Sequence, residues 1–248
     1  MGQQGFDAGV GGILFISRQA DYNTHGMVIT IDGPAGTGKS TVALDVAKRL
    51  GMDFLDTGAM YRAIGLEALR RDVSLTDEHE ISYIARLCKT SFDWTKSPPA
   101  VLLNGEPVGH LLRSGDVTRA ASFVAVIPAV RELMVQQQRQ IGKEHGNLVT
   151  EGRDQGTVVF PDAEFKFFLT ATAAERAKRR AQQLRSRGEV VDLLQLQQQI
   201  ESRDYRDANR PVAPLSCPRD AIAIDTTRLS EQQVIEQIVL HVKMTAAK

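Results

Sequence analysis

The residues Gly33-Pro34-Ala35-Gly36-Thr37-Gly38-Lys39-Ser40 read G-x-x-x-x-G-K-S, and no other segment constrains this chain so strongly. Glycines accept backbone turns that a side chain forbids, so such a loop bares successive N–H groups able to wrap a phosphate chain. Lys39 adds a point charge at the outer phosphates, and the Ser40 hydroxyl is placed to ligate Mg2+. The flanks agree with this. Met27-Val28-Ile29-Thr30-Ile31 is a short apolar run rich in β-branched residues, which predicts a buried strand. Ser40 to Leu50 carries Val42, Val46, Ala47 and Leu50 at helical spacing and stops before Gly51. Strand, glycine loop and helix N-terminus in that order make an anion site, because the helix dipole and its unpaired N–H groups point at the phosphates. By chance the pattern arises in roughly one chain in a hundred of this size, and more rarely between a strand and a helix. A nucleoside-triphosphate site over Gly33 to Thr41 is expected, with Lys39 on a solvent-facing loop.

A chain of 248 residues can bury a full core as one domain, or as one domain with a small insert. Its 30 basic and 30 acidic residues balance, which argues against a surface built for nucleic acid or anionic lipid. Of the basic residues 21 are arginine, an excess that fits bidentate phosphate handling at discrete points. Cys88 and Cys217 are far apart and share no C-x-x-C spacing, which favours a reducing, cytoplasmic setting over a disulfide framework or a zinc site. No apolar stretch is long enough to span a membrane. Residues 1–26 read as a flexible N-terminal extension, since Gly11 to Ile16 is too short for a secretory core and lacks a basic flank. Met27, just before the first strand, is a candidate alternative start. A monomer is expected.

Four more apolar runs can join the first strand: Asp53–Leu55, Asn147–Thr150, Phe165–Leu169 and Ala221–Ile224. Helical patterns lie between them, at Ala59–Arg71, Glu78–Lys89 and the segment that opens at Pro128, a residue suited to a first helical turn. Thr172-x-x-Glu175 and Ser230-x-x-Gln233 read as capping boxes that start two later helices. Strands alternating with helices predict an α/β fold, a parallel five-stranded sheet covered on both faces. Thr90 to Val108 breaks the rhythm. Its Asn104-Gly105 lies between apolar runs and signals a hairpin, so residues 88–110 read as a small antiparallel β insert.

The glycine loop names a phosphate site without naming a reaction. No N-K-x-D for guanine and no L-S-G-G-Q occurs in the chain. Arginines beside carboxylates do recur, as a second phosphorylated substrate would require. Asp56-Thr57-Gly58-Ala59-Met60-Tyr61-Arg62 follows the second strand and offers a helix N-terminus with Arg62 one turn on. Glu151-Gly152-Arg153-Asp154-Gln155-Gly156-Thr157 follows the third, at the end of the sheet where such folds bind ligands. Arg176, Arg179 and Arg180 share one helix face and suit a lid over about 172–210. Arg203, Asp207 and Arg210 share one face of any helix that continues through them.

The set G-P-A-G-T-G-K-S-T, D-T-G-A-M-Y-R, E-G-R-D-Q-G-T-V-V-F-P-D-A and R-D-x-R-D-x-N-R-x-x-A-P-L resembles bacterial cytidylate kinases from about Met27 to Lys243. Thr57 stands where many members carry serine, and the extension before Met27 is no part of the pattern. The resemblance implies a nucleoside-monophosphate-kinase-like domain over 27–248 and transfer of the γ-phosphoryl of ATP to CMP or dCMP. It implies that the glycine loop, Lys39 and Mg2+ on Ser40 hold the donor. Thr57, Arg62, Arg153 and Arg210 would hold the acceptor phosphate, while Arg176, Arg179 and Arg180 close over the junction. Ser122, Arg131 and Asp154 would read the cytosine, and Arg203 and Asp207 would face the sugar. Whether Glu151 or Asp154 orients Mg2+ stays open. A kinase for another small acceptor would share the loop and lid but lack the insert. A broader UMP/CMP kinase would differ only in acceptor choice, and an ATP-gated binding module would bind ATP without acceptor-dependent turnover.

Overall fold

The computed structural model describes residues 26–186 and 188–246. The expected extension therefore lies outside the described residues, Gly26 excepted. In chain order the first elements are β1 (Val28–Asp32), α1 (Lys39–Leu50), β2 (Asp53–Asp56), α2 (Thr57–Arg70) and α3 (Glu78–Leu87). Three short strands follow, β3 (Thr90–Asp93), β4 (Ala100–Leu103) and β5 (Glu106–Pro107). Next come α4 (Gly115–Val124), α5 (Pro128–His145), β6 (Leu148–Gly152), a π-helical turn (Gln155–Val159) and β7 (Phe165–Thr170). The described chain closes with α6 (Ala173–Arg185), α7 (Leu193–Asn209), β8 (Ile222–Asp225) and α8 (Glu231–Ala246).

Five parallel strands form the main sheet in the order β2-β6-β1-β7-β8, so β1 lies at its centre. Alternation along β1 sends Ile29 and Ile31 to one face, where they pack with Val42, Val46, Ile235 and Ile238 of α1 and α8. Leu55 and Leu148 face the other way, onto Met60, Ile64, Ile81, Ile84, Val130 and Met134 of the second helical layer. Two apolar layers thus grip one sheet, as buried parallel strands require. Local chemistry sets the helix ends. Asp56 accepts from the Ala59 amide to start α2, Pro128 opens α5, and Thr172 accepts from the Glu175 amide at the start of α6. Ser230 and Gln233 complete the second capping box reciprocally, each accepting a hydrogen bond from the other's amide.

The insert is an antiparallel three-stranded sheet in the order β3-β4-β5. Asn104 (φ 52°) and Gly105 (φ 86°) both take left-handed backbone, the conformation that a tight primed hairpin turn needs. Val101 and Leu103 bury against the α2–α3 side of the core. Trp94 stacks on His145 at the end of α5, ring centroids 3.8 Å apart, and Arg70 of α2 forks onto Glu106 at 2.9 Å. The insert is fastened to the core at two helices.

Three local features depart from the sequence expectation. Gly115–Val124 forms α4, a short helix absent from the sequence expectation, capped by Ser114 and buried along Val117, Ala120, Ala121 and Val124. Residues 155–159 wind into a π-helical turn in place of a plain connection, because both Asp32 carboxylate oxygens capture amides there, from Gln155 at 3.0 Å and Gly156 at 2.8 Å. Helix α7 ends at Asn209, so Arg210 does not continue the helical face of Arg203 and Asp207; it lies beyond the helix in extended backbone.

Candidate active site

At the carboxyl end of the sheet the chain leaves β1 and returns through α1 to β2, which lies beyond β6; ligands bind at such switch points in open α/β sheets. The glycine loop fills this crevice. Gly33 has φ 145°, and a Cβ there would sit 2.1 Å from the Leu169 carbonyl oxygen, so the loop can leave β1 only through glycine. Lys39 is the first residue of α1, and its ammonium donates to the Pro34 carbonyl at 2.7 Å. Contrary to the expected solvent-facing position, this lysine is only 5% exposed. Burial above all, with Arg153 repelling it, pulls its pKa down to about 7, although Glu151 and Asp32 pull the other way. A further contact lies within the loop, from the Thr37 hydroxyl to Pro34 O at 3.1 Å, while Thr41 is exposed on α1.

Across the crevice, the Ser40 hydroxyl donates to Glu151 Oε1 at 2.8 Å. Glu151 is buried at the end of β6, and that burial, with Asp56 adding repulsion, raises its pKa. Thr57 is buried and donates to the Glu151 carbonyl at 2.7 Å, so its hydroxyl braces β6. Asp56 also holds Arg62 at 2.8 Å.

A second cluster surrounds the turn after β6. Arg153 donates from Nε to Asp207 at 2.9 Å, which ties the turn to α7. Arg131 of α5 is fully enclosed; it pairs with Asp154, donates to the Ala125 carbonyl at 3.2 Å and lies 5.7 Å over the Tyr61 ring. Arg210 donates from Nε to Ala213 O at 2.5 Å, and its Nη2 lies 3.6 Å from Asp154. Arg203 is lowered to about 10 by its burial and by the neighbouring Arg153. Among the described residues, Arg62 Nε, Arg131 Nε, Arg203 Nε and Arg210 Nη2 are all buried with no hydrogen-bond acceptor. Four guanidinium nitrogens without a hydrogen bond leave donor capacity that anionic oxygens would satisfy.

Helix α6 contributes unevenly. Arg176 is buried and donates to Ala35 O in the glycine loop at 3.0 Å, with Asp204 of α7 2.6 Å away. Arg179 donates to the Thr226 carbonyl at 2.6 Å, and the Thr226 hydroxyl bonds to Thr37 O at 3.4 Å, so it reaches the loop through one intermediary. Arg180 bonds to Gln183 on its own helix. The Ser122 hydroxyl turns back to the Thr118 carbonyl of α4 at 3.2 Å, and no hydrogen bond joins it to Arg131 or Asp154.

Two carboxylates at this site carry no role in the sequence reading. Asp32, at the end of β1, is raised to about 6, chiefly by burial, while the Gly156 and Gln155 amides oppose the shift. An acidic residue closing an apolar strand directly before the glycine loop was its available signal. Asp204 lies inside the quoted R-D-x-R-D segment, three residues before Asp207, a spacing that places both acids on one side of a helix.

Comparison with known proteins bears on this arrangement. A family model described as cytidylate kinase matches residues 29–244. A cytidylate kinase from Caldanaerobacter subterraneus subsp. tengcongensis is 48% identical over 85% of this chain and 92% of its own length. A cytidylate kinase from Actinobacillus succinogenes is 44% identical over 89% of this chain and 100% of its own. Among solved structures, a gluconokinase from Sinorhizobium meliloti 1021 aligns with 91% of this chain and 96% of its own, at TM-score 0.48 and 13% identity. On the extent of the family match and the identity of these relatives, the chain belongs to the cytidylate kinase family.

Proposed function

We propose that this protein transfers the γ-phosphoryl group of ATP to the phosphate of CMP or dCMP, yielding ADP and the cytidine diphosphate. The observation that carries the reading is the juxtaposition of a glycine loop and an arginine cluster at one sheet end. The glycine loop with Lys39 faces a cluster of arginines whose buried N–H groups lack acceptors. Membership of the family and the names of its relatives support the choice of a cytidine acceptor.

Phosphoryl transfer needs little covalent participation from the protein; it needs alignment of two phosphates and neutralisation of charge on the migrating group. In this reading the loop amides from Gly33 to Ser40 and the Lys39 ammonium hold the donor. Arg153, Arg62 and Arg210 hold the acceptor phosphate. Arg176, already bonded to the loop at Ala35, lies between the two and meets charge developing on the transferred group. Arg131 and Asp154 face the base, with Asp154 accepting from the cytosine amine and Arg131 donating to a ring acceptor. Arg203 and Asp207 lie toward the sugar.

Mg2+ fits the residues present. A hydroxyl and a carboxylate oxygen 2.8 Å apart, at Ser40 and Glu151, form an all-oxygen pair of the kind that hard cations prefer. Asp154 is engaged with Arg131 and Arg210, so Glu151 is the better candidate to orient the ion's water shell. Bound there, Mg2+ would supply charge neutralisation at the phosphates.

The test is acceptor-dependent ADP release measured with CMP, dCMP, UMP, AMP and GMP in turn. The reading expects CMP and dCMP to dominate. A purine monophosphate as the best acceptor, or ADP release equal with and without any acceptor, would overturn it.

A further inference from the structure

The arginine nearest the phosphate loop is anchored by a carboxylate that belongs to another helix. Arg176 Nε donates to Ala171 O at 3.0 Å, Nη1 to Ala35 O at 3.0 Å, and Nη2 lies 2.6 Å from Asp204. A guanidinium has five N–H donors in a rigid fork, so these three contacts fix its plane and leave donors to spare for a phosphate. Only the Asp204 contact comes from α7. The other Asp204 oxygen is buried with no hydrogen-bond partner among the described residues, so the ion pair with Arg176 is its closest polar contact, while its charge also bears on Arg203 and Arg153.

Helix α7 has a second tether. One turn on, Asp207 accepts from Arg153, the arginine that leaves β6 beside the base pocket. Two carboxylates three residues apart on one helix thus hold two arginines, one at each phosphate site. An acceptor nucleotide that draws Arg153 toward its phosphate, or Arg203 toward its sugar, acts on α7, and α7 acts on Arg176 through Asp204.

We propose that Asp204 is a positioning residue that fixes Arg176 against the glycine loop and links occupancy of the acceptor site to alignment of the donor. It touches neither substrate. Its role rests on the phosphoryl-transfer reading above, so acceptor-dependent ADP release by the unaltered protein is established first; absence of that activity would count against the reading alone.

The experiment compares Asp204→Asn and Asp204→Glu with wild type. Steady-state kinetics for CMP and ATP are combined with calorimetric binding of a non-hydrolysable ATP analogue, with and without CMP. Loss of a charge-assisted contact predicts that Asp204→Asn lowers kcat about tenfold or more. The KM for CMP is expected to stay within about twofold, because Asp207 and Arg153 remain paired. CMP is expected to tighten analogue binding in wild type and to do so by at least about threefold less in Asp204→Asn. Asp204→Glu keeps the charge and is expected to recover more of kcat than the Asn variant. A kcat for Asp204→Asn within twofold of wild type overturns the proposal. So does CMP–analogue coupling that is the same in both proteins, or an Asn and a Glu variant equally impaired, since a packing role alone would produce that pattern.

Discussion

Burial, with Arg153 adding repulsion, brings the Lys39 ammonium down to about 7, so in the proposed reading an incoming phosphate raises its charge. A lysine whose folded-state pKa lies below its usual 10.5 destabilises the ligand-free fold at pH values below about 7, where it is charged in both states. The penalty is relieved as pH rises from there. Binding an ATP analogue at pH 8 should therefore take up on the order of one proton, read as a dependence of calorimetric heat on buffer ionisation enthalpy. A heat independent of the buffer would contradict this. The same logic makes Lys39→Ala at least as stable as wild type at pH 6 while its turnover falls about 10²-fold or more. In the proposed reading Asp154 faces the base; cytosine offers an amine where uracil offers a carbonyl, so its carboxylate suits one and opposes the other. Each unpaired buried group costs about 1–3 kcal/mol, and Asp154→Ala should narrow the CMP preference over UMP by roughly ten- to a hundredfold in kcat/KM. An unchanged ratio would leave Asp154 no part in base choice.

Among the elements, α2 and α4 pack through a glycine. A Cβ on Gly65 would meet the Ala121 amide nitrogen at 3.0 Å and the Ala120 Cβ at 3.1 Å. Gly65→Val forces these helices apart and should cost about 1–3 kcal/mol, visible as a lower melting temperature. An unchanged melting temperature would mean that the α2–α4 contact yields freely. Elements with strong local signals were legible in the sequence. The β1–loop–α1 unit, the Asn104-Gly105 hairpin, the Ser230–Gln233 capping box and the Thr172 cap rest on residues whose backbone or hydrogen-bonding chemistry allows few alternatives, although the Thr172 amide bonds to Thr227 and not to Glu175. Helix α4 did carry a signal that the sequence reading passed over: Val117, Ala120, Ala121 and Val124 are buried at i, i+3, i+4 and i+7 behind a Ser114 cap, but three of the ten residues are alanine or glycine and the stripe is correspondingly slight. The π-helical turn after β6 is imposed from more than a hundred residues away by the Asp32 carboxylate, which no local pattern reports. Arginine-rich motifs marked the site, but which carboxylate each arginine meets depends on how α6, α7 and the β6 turn converge. Asp204 and Asp32 emerged only in three dimensions.

Over the molecule as a whole, two apolar layers fix the sheet, and the glycine loop and the β6 turn gather its central strand ends into one crevice. The described residues include no helix long and apolar enough to cross a membrane. In the proposed reading this crevice holds two phosphate sites, phosphate passes between them, and water must be excluded while it does. That claim is tested most directly by phosphorus NMR of the products formed from ATP, CMP and Mg2+. The account predicts CDP and ADP accumulating in equal amounts, with little inorganic phosphate and almost no ADP when CMP is omitted. ADP accompanied by inorganic phosphate in place of CDP, at a rate indifferent to CMP, would contradict it.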